Sequence, residues 1–458
     1  MSEAGLASAQ HKMREDGLPE AAIKVFSDYY RQLEQGQTGL IAEDSIEPLL
    51  EVDHLDEVDI DEQAGIDALD QTVYLKLNGG LGTSMGLDKA KNLLTVRDGL
   101  TFLDIIARQV LAARERYGVR LPVLFMNSFR TQADTEEALA AYPELARDGL
   151  PLGFLQNREP KLTADTLEPV EWPADPSLEW CPPGHGDLYI ALQASGVLDQ
   201  LIEQGYRYAN VCNGDNLGTA PNPRIAGWFA ASGAPYAAEV CRRTVNDRKG
   251  GHLAIRKSDG QLILRDTAQT SEEEMHYFTD EHRHPFFHTN NLWFDLVALR
   301  QALTERDSVL GLPMIRNEKT VDPADKTSPK VIQIESAMGT AVEVFEGATA
   351  ICVGRDRFLP VKTTNELLLL RSDLYDLNED YRLVAATDRA VKVDLDGEFY
   401  KLVGDFEERF AGPLGLREAT SFTVVGDHHF GEDIQVIGEV EVGADDPARL
   451  EDGTTLRG

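Results

Sequence analysis

The chain has 458 residues, 42% of them hydrophobic, and a formal net charge of −34. At about 150 residues per domain, two or three domains with sizeable cores are expected and wholesale disorder is excluded. A surface this acidic repels nucleic acid and anionic membranes, so neither is expected as a partner. Any phosphate-bearing ligand has to be met by a local positive island.

The N-terminus, "MSEAGLASAQHKMREDG", lacks the basic and apolar blocks of a signal peptide. No run approaches the roughly 18 apolar residues of a membrane span. Cys181, Cys212, Cys241 and Cys352 lie far apart and form no CxxC or similar metal spacing. Reduced thiols in a cytoplasmic protein are the simple reading.

Residues 19–36, "PEAAIKVFSDYYRQLEQG", place Ala22, Val25, Phe26, Tyr29 and Leu33 near one face of a helix that ends at glycine. An acidic stretch follows at 51–63, "EVDHLDEVDIDEQ", and reads as a solvated connection. From about 71 the text changes. "TVYLKL", "PVLFMN", "GFLQ", "YANVCN", "YAAEVC" and "HLAIRK" read as strands, while "TFLDIIARQVLAARERYG" repeats Phe102, Ile105, Ile106, Val110 and Ala113 at helical spacing before Gly118. Strands alternating with helices predict an α/β sheet covered on both faces, with a ligand at the carboxyl ends of the strands. Near the C-terminus the glycines at 426, 431, 438 and 443 punctuate short β-branched runs. Their spacing approximates a hexapeptide coil and suggests a small β-helix; a hairpin fits the pattern nearly as well.

The first predicted strand runs into "LKLNGGLGTSMGLDKAKN", residues 75–92, with glycines at 79, 80, 82 and 86. Glycines let backbone N–H groups approach a ligand closely, and a lysine just beyond suggests a phosphate cradle. Neither GxxxxGK[ST] nor GxGxxG fits; GxGxxxG does, at Gly80, Gly82 and Gly86, which keeps a dinucleotide fold open. Residues 76–97 carry Lys76, Lys89, Lys91 and Arg97 against Asp88. Two more islands are "CRRTVNDRKGGHLAIRK", with six basic residues against Asp247, and "GRDRFLPVK", with Arg355, Arg357 and Lys362 against Asp356. Three islands in an acidic chain favour a polyanionic small molecule.

The glycine stretch is similar to the signature of the eukaryotic-type UTP–glucose-1-phosphate uridylyltransferases. So are "FMNSF", "CPPGHGDLY", "NVCNGDNLG", "KGGHLA", "FHTNNLWFDL", "VIQIESAMGTA" and "RFLPVKTTNELLLL", in family order, and "TVVGDHHFG" resembles the family's C-terminal β-helix. The resemblance implies a nucleotide-diphosphosugar transferase fold, a Rossmann-like mixed sheet flanked by helices with a small C-terminal left-handed β-helix. It divides the chain into an N-terminal helical segment (1–70), a catalytic domain (71–375) and the β-helix domain (376–458), through which a homo-oligomer could form. It also implies Mg²⁺ and the reversible conversion of UTP and glucose 1-phosphate to UDP-glucose and pyrophosphate. The chain departs from the family's pattern at Asp88, within the "LDKA" before Lys91. It departs again at Asn92, where serine is usual, and at Gly214, where a larger residue is usual.

The reaction needs no general base, because the attacking phosphate is already an anion. It needs two polyanions held in line and charge stabilised on the leaving pyrophosphate. The resemblance places Lys91 on the leaving phosphates and Lys362 at the α-phosphate or the sugar phosphate; each is also the lysine of a positive island. Asp215, just past an apolar run, suits Mg²⁺, which prefers oxygen ligands. Its neighbour Asn213 suits sugar or ribose hydroxyls. Gly184 offers close backbone approach, and His185 a phosphate or sugar contact. Gln156 matches the uracil contact, since an amide can read both a donor and acceptors. Leu77, Asn78, Gly79 and Gly80 are expected to contact the nucleotide through their backbone, and Asn290 and Glu335 the glucose hydroxyls. Gly250 and Gly251 read equally as a sugar approach or as an ordinary turn. The competing readings are a broader UDP-sugar or UDP-N-acetylhexosamine pyrophosphorylase, an NAD(P)-dependent oxidoreductase and a catalytically silent UDP-sugar sensor.

Overall fold

The computed structural model describes residues 2–37, 39–147, 149–244, 247–248 and 250–458. Eight strands form the main path of a large sheet: β1 (Asp53–His54), β2 (Thr72–Asn78), β3 (Val123–Asn127), β4 (Gly153–Leu155), β5 (Tyr208–Asn213), β6 (Tyr236–Arg242), β7 (Phe286–Asp295) and β8 (Thr349–Cys352). Their order is β1-β8-β6-β7-β5-β2-β3-β4. β7 runs antiparallel to both its neighbours, and the other pairings along the path are parallel. The six predicted strands are all present.

Period-two alternation explains why the sheet is covered twice. On β2, Tyr74 points into one core while Val73 and Leu75 point into the other. On β3, Val123 and Phe125 take the first side, Leu124 and Met126 the second. The first face is packed by the helix Phe102–Tyr117 and by Ile225, Ala226 and Phe229 of the helix Pro223–Ser232. The second is packed by Leu188–Ala194, Val197–Glu203 and Leu296–Glu305. The helix Phe102–Tyr117 has a Thr101/Asp104 capping box and stops at left-handed Gly118.

The N-terminal region is helical as predicted, with Ala22, Phe26, Tyr29 and Leu33 of Glu20–Glu34 buried; Val25 is only partly so. The acidic stretch 51–63 differs from expectation. It is not simply a solvated connection: Asp53 and His54 pair with Ile351 and Cys352 as the sheet's edge, and the Trp228 indole donates to Asp53 (2.8 Å). Ile46–Pro48 likewise pairs with Ala254–Arg256.

At the C-terminus Lys392–Leu395, Gly415–Val424, Gln435–Val442 and Thr455–Arg457 form a wholly parallel four-stranded sheet. Phe422 pairs with Val440 and Gln435 with Thr455, so successive passes of the chain stack in one direction. A hairpin would pair its strands antiparallel, so that alternative is excluded for these strands. Their inward side chains, among them Phe422, Val424 and Val440, join the same core that backs β2 and β3.

Candidate active site

The parallel strands deliver their carboxyl ends to one edge of the sheet. There the glycine loop follows β2, Gln156 follows β4, Asp215 follows β5, and the segment to Lys362 follows β8. Because β7 runs the other way, its N-terminal half, with His288 and Asn290, reaches the same edge.

Two of the predicted residues touch. Lys91 Nζ lies 2.6 Å from Asp215 Oδ2 and donates to the Val361 carbonyl at 2.5 Å. The Val361 N–H reaches back to the Asp215 carbonyl (3.3 Å). Lys362, next in the chain, is exposed. The three turns carrying Lys91, Asp215 and Lys362 are therefore tied together. Asp215 gives a one-carboxylate donor set: among the described residues no group of three or more His, Cys, Asp or Glu could hold a metal. Mg²⁺ is commonly held by one or two carboxylates together with substrate phosphates and water, so this set fits it.

The glycine loop packs against Gln156. A Cβ on Gly79 would come within 2.9 Å of Gln156 Oε1, so the bare backbone lets the glutamine amide lie against the loop. The Gln156 N–H donates to Asn127 O (2.8 Å). At Gly80 a Cβ would meet nothing within 4 Å. The carbonyls of Leu77 and Gly80 accept from Gly214 N (2.9 Å) and Lys91 N (3.1 Å). The Asn78 side chain turns inward and bonds Asn127 and Thr135, each at 2.7 Å, which leaves only its backbone at the loop. Asn213 sits half-buried at the end of β5, its carbonyl accepting from Asn216 N (3.2 Å). No helix follows the GxGxxxG stretch. Gly82 and Gly86 flank a single 3₁₀ turn, so the helix N-terminus that a dinucleotide site requires is missing.

A third group gathers around residues 335–338. Gly184 has φ +79°, and a Cβ there would stand 2.5 Å from Ser336 O and 3.1 Å from Glu335 Cβ. This contact seats "GHGD" on the strand Lys330–Ser336 that carries Glu335. His185 Nδ1 accepts from Met338 N (2.9 Å), and His288 Nδ1 from Asn290 N (3.1 Å). Each imidazole therefore keeps its proton on Nε2 when neutral. Burial holds both below the usual imidazole range, His288 down to about 4. Asn290 sits in the left-handed region, φ 61°, at an irregularity in the pairing of β6 and β7. Such backbone in a non-glycine residue persists where neighbours fix it, and here His288 does so. His288 was not singled out in the sequence; the signal was its place in "FHTNN". Glu335 is partly exposed, 3.7 Å from Lys319.

Most cations of the basic islands have partners within the chain, some buried and some at the surface. Lys76 is buried against Cys212 Sγ and Thr219 Oγ1, both at 2.9 Å. Arg97 holds the carbonyls of Leu370 and Ser372. In the second island Arg243 bonds Phe278 O and Gly250 O, Arg248 pairs with Glu281 and Arg256 with Glu343; Lys249 lies outside the described residues. The Gly251 carbonyl accepts from His288 N (2.8 Å), which favours the turn reading for that pair of glycines. In the third island Arg357 is buried on Glu239, and Arg355 pairs with Asp247. Local positive charge in the sequence thus overstated the charge available to a ligand, and Lys91 and Lys362 are the island cations gathered at the Asp215 turn.

The family model for UTP–glucose-1-phosphate uridylyltransferase matches residues 23–436. The enzyme of that name from Solanum tuberosum is 37% identical over 396 residues, covering 85% of this chain and 80% of the relative. That from Saccharomyces cerevisiae is 37% identical over 385 residues, covering 84% and 76%. A structure of the Leishmania major UDP-glucose pyrophosphorylase superposes with a TM-score of 0.92 at 42% identity, covering 99% of this chain and 98% of that one. With the mixed sheet, the strand-end site and these matches, the chain belongs to the UTP–glucose-1-phosphate uridylyltransferase family.

Proposed function

We propose that the protein transfers a uridylyl group reversibly between UTP and glucose 1-phosphate, giving UDP-glucose and pyrophosphate. The observation that carries this is the gathering of Lys91, Asp215 and the Lys362 turn at the carboxyl edge of the sheet, in a chain of this family. A glucose 1-phosphate oxygen attacks the α-phosphorus of UTP, and pyrophosphate leaves. Lys91 draws negative charge on the leaving phosphates, exchanging its bond to Asp215 for one to phosphate oxygen. Lys362 steadies the α-phosphate or the incoming sugar phosphate. Asp215, released by Lys91, is the carboxylate that would hold Mg²⁺. That ion, when bound, offsets the repulsion between the two polyanions.

Gln156 reads the uracil against Gly79 and Gly80, with Leu77 and Asn78 supporting the loop. Asn213, His185, Asn290 and Glu335 orient ribose and glucose hydroxyls, the imidazole donating from Nε2. Gly184 lets this side approach closely. Pyrophosphate release from UTP with glucose, galactose and N-acetylglucosamine 1-phosphates tests the assignment. Glucose 1-phosphate is expected to be the best substrate, and faster release with either other sugar would replace it with the broader pyrophosphorylase.

The parallel stacking of the C-terminal passes, with Phe422 beside Val440, supports a left-handed β-helix there. The terminal strand Thr455–Arg457 has a sheet neighbour on one side, which supports this end as the surface for self-association; sedimentation of a chain truncated before Thr455 tests it. Among the described residues no helix is long and apolar enough to cross a membrane. Four buried, unpaired thiols support a reducing compartment such as the cytoplasm.

A further inference from the structure

The turn Lys91–Leu93 holds a buried polar side chain that uridylyl transfer leaves without a task. Asn92 is 3% exposed, and its Nδ2 is buried with no hydrogen-bond partner among the described residues. A buried amide left unpaired is costly, so its place calls for a physical reason.

That reason lies across the cleft edge. The Asn92 amide packs against Gly214. A Cβ built on Gly214 would fall within 2.8 Å of Asn92 Cγ and Oδ1, and closer still to Nδ2. Lys91 precedes Asn92 and Asp215 follows Gly214, so the contact joins the two turns that carry the charged pair. Three bonds tie the same turns together. Gly214 N–H donates to Leu77 O (2.9 Å), Lys91 N–H donates to Gly80 O (3.1 Å), and Lys91 Nζ meets Asp215 Oδ2 (2.6 Å). The amide lies against Gly214, one of the residues those bonds hold.

We propose that Asn92 is a positioning residue, a spacer whose amide sets the gap between the Lys91 turn and the Asp215 turn. Position 214 is glycine because that amide occupies the space a side chain would need. The inference rests on Lys91 and Asp215 being the pair that handles the phosphates. Interiors are packed closely enough that one added methyl is felt. Because Asn92 is enclosed, 3% exposed, its amide has little room to swing aside and the shift passes to the turn bearing Lys91; a misplacement of about 1 Å in a reacting group costs on the order of a hundredfold in rate.

The test compares the full chain with Gly214→Ala, Asn92→Ala and the double variant. For each, kcat, KM for UTP, the Mg²⁺ concentration giving half-maximal rate, and Tm are measured. Gly214→Ala is expected to lower kcat on the order of tenfold to a hundredfold, with KM for UTP changed much less. Adding Asn92→Ala empties the space and should recover most of that loss in kcat and in Tm. Multiplying losses in the double variant would overturn the spacer. So would a Gly214→Ala protein with lowered Tm and normal kcat, which is what a merely structural contact predicts. Asp215→Ala, run alongside, separates two failures. Near-normal turnover there removes the reading of the site, and the spacer role with it. An inactive Asp215→Ala beside a normal Gly214→Ala removes the spacer alone.

Discussion

The Arg357 guanidinium forks onto the Glu239 carboxylate through two bonds of 2.8 Å, with both side chains buried where the turn Arg355–Arg357 packs on the sheet. Glu239 also accepts from Trp293 Nε1 (2.9 Å), and the Arg357 carbonyl accepts from Asn216 Nδ2 (3.1 Å), one residue beyond Asp215. The pair thus joins β6, β7, the Asp215 turn and the segment leading to Lys362. Glu239→Gln keeps the shape and leaves a buried cation without its counter-charge. Breaking a buried pair costs about 3–5 kcal/mol. Urea unfolding should show a loss of that order, with turnover falling in the protein that remains folded. A change within about 0.5 kcal/mol, the range of ordinary surface substitutions, would show that the fork does not hold this region.

Lys362→Ala should reduce turnover by at least about a hundredfold while UTP still binds. Removing one preorganised donor to developing charge costs roughly 10² to 10³ in rate. Calorimetric titration with UTP alongside turnover checks both halves. Near-normal turnover in the folded variant would take Lys362 out of the chemistry.

Asp215→Asn keeps the side chain's shape but loses the charge that balances a divalent cation, and it deprives Lys91 of its ion-pair partner. Turnover should fall steeply at low Mg²⁺ and recover only in part at high Mg²⁺. A turn role predicts otherwise, because asparagine serves turns as well as aspartate does. Overlapping Mg²⁺ titrations of the two proteins, with matched melting curves, would sink the metal role.

His288 makes stability depend on pH in a known direction. Burial lowers its folded pKa to about 4, below the free imidazole value of 6.5. Its contribution is therefore present above pH 6.5 and is lost as the pH falls towards 4. At about 1.36 kcal/mol per unit, roughly 2 kcal/mol should go between pH 6.5 and 5. The non-titrating His288→Gln should flatten the stability-versus-pH curve by about that much, read by urea unfolding at the two pH values. Parallel curves for the two proteins would contradict it.

The α/β class and the six predicted strands were legible because each is an apolar run bounded by turn residues. The strand Phe286–Asp295 was visible only as a motif: its centre, "HTNN", is polar and holds the pairing irregularity at which Asn290 takes left-handed backbone. Asp53–His54 could not be read as an edge strand, since two residues carry no periodicity and their partners lie near residue 351. The basic islands misled in part because a charge count along the chain cannot see Glu239 beneath Arg357 or Glu343 beside Arg256. Asn92 and Gly214, noted in the sequence as separate departures from the family's pattern, are in contact in the structure.

The pairing of Asp53 and His54 with Ile351 and Cys352 also bears on how the chain reaches this state. The edge strand at residue 53 is made long before its partner at residue 351. Contacts between such distant segments require large loops to close before they gain anything, so folding is slow and topologically demanding. Until β8 emerges from the ribosome, the N-terminal edge strand has no native neighbour, and the nascent chain carries an unpaired strand exposed to misassociation. Fragments ending before Thr349 should therefore aggregate rather than fold into a smaller working enzyme.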